Sequence, residues 1–192
     1  LSPGRVVYTC WTDEDGWLLD DGTLACWGPN DYRLTSADPA FAWLDEHRRG
    51  FDVELKDETC SIASLSLQGP TSRAVLEDAM GRDLAQVGFF ESCAGKLGGV
   101  SVQITRTGYT GDLGFEIWCP AEGAENVWDG VACAGSPHGL MPVGLDALDV
   151  ARIEAGFVLQ GVDYRSSHSC LVDSQRSTPF EVGLGWTVDR TR

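Results

Sequence analysis

The amino-acid sequence predicts an α+β protein with mainly antiparallel sheets and helices packed on them. Two observations predict this class. Between Arg5 and Thr35, short segments of β-forming residues alternate with turn residues, which is the pattern of an antiparallel meander. From Ile62 onward the expected order is strand, helix, strands, helix. That order resembles a split β-α-β (ferredoxin-like) arrangement, an antiparallel sheet with helices on one face.

The N-terminal segments justify the meander one by one. The first, R-V-V-Y-T-C-W, is rich in β-formers, and an acidic turn after it leads into a second segment. Asp20-Asp21-Gly22 is an ordinary turn sequence that separates the second segment from the third. The expected strands are residues 5–11, 17–19, 23–27 and 32–35. A helix then begins with Asp38 as its N-cap and ends at Gly50, and residues 51–55 form another strand.

The second part of the chain predicts three helices and further strands. An alternating I-A-S-L-S-L segment indicates a half-buried strand, and Gly69-Pro70-Thr71 after it begins a helix that Gly81 closes. A second helix follows Pro120, and residues 144–156 have the apolar spacing of a third. The strands expected in this part are residues 62–67, 89–93, 100–104, 115–119 and 180–188.

The composition limits the classes of partner and the compartment. A formal net charge of −15 argues against nucleic acid or an anionic membrane as the main partner. No apolar run approaches the roughly 18 residues of a membrane span, and no signal-peptide pattern opens the chain. The seven cysteines are widely spaced without any C-x-x-C, which predicts a reduced cytoplasmic protein lacking disulfides and structural zinc.

A glycine-rich segment, R-T-G-Y-T-G-D-L-G-F-E at residues 106–116, is the first candidate for a binding site. Its three glycines allow positive φ or the close approach of a ligand. Tyr109 and Glu116 lie on its two flanks, and an aromatic face with a carboxylate can hold a flat, nitrogen-rich heterocycle. The alternative is a hairpin loop with a surface tyrosine.

Two other site classes have little support in the sequence. His168 and Cys170, with Asp173 nearby, suggest a cysteine hydrolase, but neighbouring residues on a polar loop do not form a nucleophile–base geometry. No paired Cys/His set or H-x-x-x-H predicts a metal site.

Taken together, five segments resemble the folate-binding aminomethyltransferase family, which comprises the T-protein of the glycine cleavage system and its relatives. In chain order they are Y-T-C-W-T-D-E-D-G-W-L-L-D-D, L-Q-G-P, R-T-G-Y-T-G-D-L-G-F-E, R-I-E-A-G and G-L-G-W. The resemblance covers nearly the whole chain. It implies the middle of a longer protein, without the family's N-terminal portion and C-terminal barrel. It also implies that residues 1–57 and 140–192 form one folate-binding lobe, and residues 58–139 a second.

The resemblance implies tetrahydrofolate as the cofactor and assigns roles to four residues. Asp21 matches an aspartate beside the reactive folate nitrogens, where a carboxylate can stabilise developing positive charge and relay a proton. Asp20, its strand neighbour, should face the other way. Glu116 and Tyr109 match residues that hold the pterin. Arg152 matches a family arginine, with a helix-packing ion pair as the alternative.

One departure bears on the one-carbon donor. Where the T-protein proper has an arginine that contacts folate, this chain has Leu148, which favours the demethylase or sarcosine-oxidase-like branch. The absence of a K-G-C-Y motif disfavours the branch that maintains iron–sulfur clusters. The implied function is tetrahydrofolate-dependent aminomethyl or methyl transfer from a small molecule or a lipoyl carrier protein. The alternatives are a non-catalytic folate-binding module and the folate domain of an oxidase. Whether this stretch is active alone, and its oligomeric state, are left open.

Overall fold

The computed structural model describes residues 1–189 of the chain, and these divide into two compact units. The first comprises Leu1–Lys56 and the chain from Val158 onward, and the second comprises Asp57–Phe157. Both combine antiparallel sheets with helices, so the predicted α+β class is confirmed. Residues 140–157, which were expected in the first lobe, group with the second unit.

The first unit contains a three-stranded antiparallel meander in the order β1-β2-β3. The strands are Val6–Thr12, Leu18–Gly28 and Asp31–Ser36. The turn expected at Asp20-Asp21-Gly22 is wrong, because β2 runs through these residues without interruption. Gly22 is required there by close approach, since a Cβ atom on it would lie 1.8 Å from the carbonyl oxygen of Thr35 in β3.

Three other expectations for the first unit are corrected. Helix α1 spans Phe41–His47 rather than starting at Asp38, whose amide and carboxylate bond Asp20 and Gln160 instead. Residues 51–55 form no strand; they are irregular and mostly exposed, with no described strand beside them. Residues 180–188 form turns and a short 3-10 helix, because Gly183 takes a φ of 81° and Leu184 bonds back to Pro179.

The second unit contains a four-stranded antiparallel sheet in the order β4-β7-β6-β5. The strands are Ile62–Gln68 (β4), Ser92–Leu97 (β5), Val100–Thr105 (β6) and Gly114–Pro120 (β7). In this sheet, β4 and β5 run in opposite directions and have two strands between them. A split β-α-β unit instead has one strand between the two parallel strands that its helix connects. Neither sheet of the described chain has that arrangement, so this part of the prediction is wrong. Strand β5 starts later than expected because Phe90 has a φ of 56°.

One face of this sheet is apolar and the other is polar. Helices α2 (Ser72–Met80) and α3 (Ala124–Gly135) belong with the apolar face, and the core there includes Leu67, Ile104 and Phe115. Gly81 ends α2 in the left-handed conformation, as expected. Because side chains alternate along strands, polar residues occupy the opposite face. They include Ser66, Gln68, Thr105 and Glu116.

The last helix, α4 (Leu145–Glu154), forms as predicted, but the side that it buries is not its apolar side. Its apolar residues remain largely exposed, with Leu145 83% accessible, while Arg152 is buried. Among the described residues, no helix is long and apolar enough to cross a membrane.

Candidate functional site

In the first unit, Asp21 lies in β2 opposite Cys10 of β1, with its carboxylate between two phenols. Tyr8 donates its hydroxyl to Oδ2 of Asp21 at 2.6 Å, and Tyr164 donates to Oδ1 through a short hydrogen bond. Burial and the Asp21 carboxylate raise the pKa of Tyr164 far above its ordinary range, so that its phenol keeps its proton. Asp21 is therefore held at both oxygens.

Asp20 occupies the other face of the same strand, as the alternation of side chains requires. It is 3% exposed and accepts hydrogen bonds from the backbone N–H groups of Asp21 (2.8 Å) and Asp38 (3.1 Å). Burial raises the pKa of Asp20, although these two bonds oppose the shift. The contacts of Asp20 are thus those of a carboxylate that fixes the backbone.

Tyr8 connects Asp21 to the end of the described chain. Its ring stacks on Trp186 with centroids 5.6 Å apart, and Trp186 itself is largely exposed. Neither Tyr8 nor Tyr164 was identified as a functional residue from the sequence. Tyr8 lies two residues before Cys10 on the Asp21 face, which β-strand alternation could have indicated, whereas Tyr164 has no local signal.

In the second unit, Glu116 lies on the polar face of the sheet, between Ser66 of β4 and Thr105 of β6. Thr107 donates to Oε2 of Glu116 at 2.5 Å. The Thr105 hydroxyl lies 2.6 Å from that of Thr107 and accepts the indole N–H of Trp118 at 3.2 Å. Because Thr107 uses its proton on Glu116, Thr105 must donate to Thr107. Three successive donors therefore point toward one carboxylate, and such chains strengthen cooperatively.

The carboxylate of Glu116 combines partial burial with unused acceptor capacity. Burial raises its pKa, and the hydrogen bond from Thr107 opposes that shift. Within the described part of the chain, Oε1 of Glu116 has no hydrogen-bond partner. An ionised carboxylate accepts at both oxygens, so Glu116 can receive further donors from a ligand.

The glycines of the hairpin make room for the side chain of Gln68, the Q of L-Q-G-P. A Cβ atom would lie 2.0 Å from Gln68 Oε1 at Gly108 and 1.8 Å from it at Gly114. Gln68 donates to the carbonyl oxygens of Thr107 and Phe115, each at 3.4 Å. Of the three glycines, Gly111 alone has positive φ, at 73°. Packing against Gln68 therefore accounts for two glycines that were expected to provide positive φ or ligand approach.

The other two predicted residues lie near the end of α4. Tyr109 stacks almost parallel on Phe157, with centroids 5.6 Å apart and an interplanar angle of 13°. The side chain of Arg152 is 3% exposed and bonds Asp149 Oδ1 at 2.7 Å and the carbonyl oxygen of Phe157 at 3.2 Å. These contacts of Arg152 are those of the helix-packing alternative.

The structure therefore groups the candidates into two clusters. Asp21 lies with Tyr8 and Tyr164 in the first unit, and Glu116 lies with Thr107 in the second, where Tyr109 belongs to the same hairpin. No set of three or more His, Cys, Asp or Glu side chains in residues 1–189 is placed to hold a metal ion.

Comparison with known proteins gives consistent matches along the chain. The GCVT N-terminal domain family matches residues 1–192. An aminomethyltransferase of Geobacillus kaustophilus is 39% identical over 98% of this chain and 50% of its own length. A trimethylamine-oxide aldolase of Ruegeria pomeroyi is 36% identical over 98% of this chain and 24% of its own length.

A solved structure extends the match to the fold. The glycine cleavage system aminomethyltransferase T of Bartonella henselae superposes with a TM-score of 0.79 at 29% identity. The match covers 99% of this chain and 49% of that protein. The chain thus spans about half the length of the aminomethyltransferases it matches.

Proposed function

Because the chain belongs to the GCVT N-terminal domain family, we propose that it serves tetrahydrofolate-dependent transfer of an aminomethyl or methyl group. The observation that carries this proposal is the carboxylate of Glu116, half-buried on a polar sheet face. One oxygen is fixed by Thr107, and the other has no partner among the described residues.

The residues around Glu116 fit the pterin ring of tetrahydrofolate. An amino-pyrimidine edge presents adjacent N–H donors, and a carboxylate can accept two of them at once. The chain of donors from Trp118 through Thr105 and Thr107 holds Glu116 in place before a ligand arrives. Tyr109 supplies an aromatic face from the same hairpin, where a flat ring can stack. Glu116 and Tyr109 would therefore bind and orient the pterin.

Asp21 would carry the chemistry. Bound tetrahydrofolate would supply the nitrogen that captures the one-carbon unit. Asp21, with Tyr8 and Tyr164 on its two oxygens, would stabilise positive charge that develops on the reacting amine and accept or return a proton. An oriented carboxylate needs little reorganisation during the reaction.

The comparisons and the sequence point to a class of one-carbon donors rather than to a single molecule. The relatives include an aminomethyltransferase and a trimethylamine-oxide aldolase, so family membership leaves the donor open. Leu148 replaces a cation expected in the T-protein proper, and Arg152 one turn later is engaged with Asp149. We therefore favour a methylated amine donor over an aminomethyl group on a lipoyl carrier protein. We assign Arg152 an indirect role in folate binding, because it bonds the carbonyl oxygen of Phe157, on which Tyr109 stacks.

A non-catalytic folate-binding module is the second candidate, and it would keep Glu116 and Tyr109 but not need Asp21. Two measurements on the wild-type protein separate the candidates. Quenching of tryptophan fluorescence by tetrahydrofolate reports binding, with Trp118 on the same sheet face as Glu116. Formation of one-carbon-substituted folate from methylated amines or an aminomethyl-lipoyl carrier reports transfer. Binding with transfer supports the enzyme, binding alone supports the module, and absence of binding contradicts both.

A further inference from the structure

We propose that Tyr164 is the positioning residue of Asp21, and that Tyr8 is an exchangeable donor that a substrate amine replaces. The two phenols bond opposite oxygens of one carboxylate. They differ in accessibility, since Tyr164 is 3% exposed and Tyr8 is half-buried. This assignment rests on the proposed catalytic role of Asp21.

Contacts of its ring, its backbone and its hydroxyl hold Tyr164 in place. Its ring packs with Leu18 and Leu184 in the core of the first unit. Its carbonyl oxygen accepts the backbone N–H of Gly161 at 2.7 Å. Its hydroxyl also lies 3.4 Å from Oδ1 of Asp20. If Asp21 turned away, the buried phenol would lose its main acceptor, and a buried polar group without a partner is strongly unfavourable. Tyr164 therefore holds Asp21 in one rotamer.

Tyr8 can release Asp21 without that penalty. Its ring lies against the exposed indole of Trp186, and its hydroxyl bonds Oδ2, the oxygen that Tyr164 leaves available. An ammonium or amine N–H approaching Oδ2 would replace one donor by another. The displaced hydroxyl of Tyr8, being on a half-buried side chain, can turn to water. The geometry thus separates a fixed oxygen from a working oxygen.

The two phenols therefore make different predictions for Asp21. Loss of the Tyr164 hydroxyl leaves Oδ1 of Asp21 without its buried donor and lets the carboxylate turn, whereas loss of the Tyr8 hydroxyl leaves the bond at Oδ1 in place.

The experiment compares Tyr164→Phe with Tyr8→Phe in protein labelled with ¹³C at the Asp carboxyl carbons. The Asp21 resonance is assigned by its absence from Asp21→Asn. For Tyr164→Phe we expect the Asp21 carboxyl resonance at neutral pH to move away from its wild-type position, because Oδ1 has lost its buried donor. We also expect kcat to fall about tenfold or more with an unchanged KM for tetrahydrofolate, since roughly 1 Å of misplacement reduces rates about 100-fold. Tyr8→Phe should change kcat much less.

Three results would overturn the assignment. They are an unchanged Asp21 carboxyl resonance in Tyr164→Phe, an effect on KM instead of kcat, and a larger loss of kcat in Tyr8→Phe than in Tyr164→Phe. If Tyr164→Phe does not fold, 3-fluorotyrosine at position 164 keeps the packing and is a stronger donor, so the Asp21 carboxyl resonance should then differ from that of the wild type. A wild-type protein without transfer activity would remove the proposed function, while the carboxyl resonance would still decide the positioning role.

Discussion

Thr107 donates its hydroxyl to Oε2 of Glu116 at 2.5 Å, so one end of the glycine-rich hairpin fixes the carboxylate at the other. The bond is preceded by Thr105 and Trp118 in one chain of donors. A strand glutamate that serves only solubility needs no such support. Under the proposed function, this arrangement would hold Glu116 in place before a ligand binds.

Replacing Glu116 by Gln should stabilise the unliganded protein at neutral and alkaline pH. Burial raises the pKa of Glu116, so the folded chain binds its proton more tightly than the unfolded chain does. The stability that Glu116 contributes is present at low pH and is lost as the pH rises through the folded pKa. Glutamine does not ionise, so the Tm difference between Glu116→Gln and wild type should be positive near pH 8 and shrink toward pH 4. Exposed Glu125→Gln serves as the control, and a pH-independent difference would contradict the burial argument.

Gly114→Ala should weaken the hairpin through Gln68. The new Cβ atom would lie 1.8 Å from Gln68 Oε1, and overpacking of this kind destabilises proteins by about 1–3 kcal/mol. Chemical denaturation of Gly114→Ala, Gln68→Ala and the double variant forms a thermodynamic cycle. Gly114→Ala should be far less destabilising in the Gln68→Ala background than in the wild-type background. Gly144→Ala, where the added carbon meets open space, is the matched control.

Arg152→Gln should lower stability more than it lowers folate affinity. The variant loses the bonds to Asp149 and to the carbonyl oxygen of Phe157, and bonds from a charged donor contribute about 1.5–3 kcal/mol each. Thermal unfolding and a tetrahydrofolate titration of the same sample compare the two effects, with exposed Arg49→Gln as control. A large loss of affinity with an unchanged Tm would instead make Arg152 a ligand contact.

Asp21→Asn should retain tetrahydrofolate binding and lose transfer. The amide keeps the shape of the side chain but has neither the negative charge nor the proton acceptor, and positioned acid–base groups contribute about 10²- to 10⁴-fold in rate. Turnover and fluorescence titration are measured together, with the exposed Asp31→Asn as control. If Asp21→Asn turns over normally, Asp21 is not the catalytic residue and the binding-module alternative gains support.

Much of the second unit could be predicted from the sequence because its signals are local. Strands β4, β6 and β7 and helices α2 and α3 follow from alternation, helical spacing and terminal glycines. Asp20-Asp21-Gly22 misled the local interpretation, because a glycine that makes room for the carbonyl of Thr35 has the same composition as a turn glycine. Residues 180–188 led to the opposite error. Their β-forming residues predict a strand, but they have no strand partner in the described chain.

The candidate site could be predicted only in part, because only some of its contacts join residues that are close together in the sequence. Glu116 and Tyr109 flank one hairpin, so a short sequence already suggests their cooperation. Tyr164 meets Asp21 from 143 residues away, and no local pattern marks that contact. The role of Gln68 against Gly108 and Gly114 likewise depends on pairing between β4 and β7.

The most direct test of the central claim is a tetrahydrofolate titration of Glu116→Ala, followed by tryptophan fluorescence. We expect the dissociation constant to rise about 10- to 100-fold relative to wild type, which corresponds to the roughly 1.5–3 kcal/mol of a hydrogen bond to a charged group. Exposed Glu125→Ala should bind like the wild type. An unchanged affinity in Glu116→Ala would show that the glycine-rich hairpin does not hold the folate.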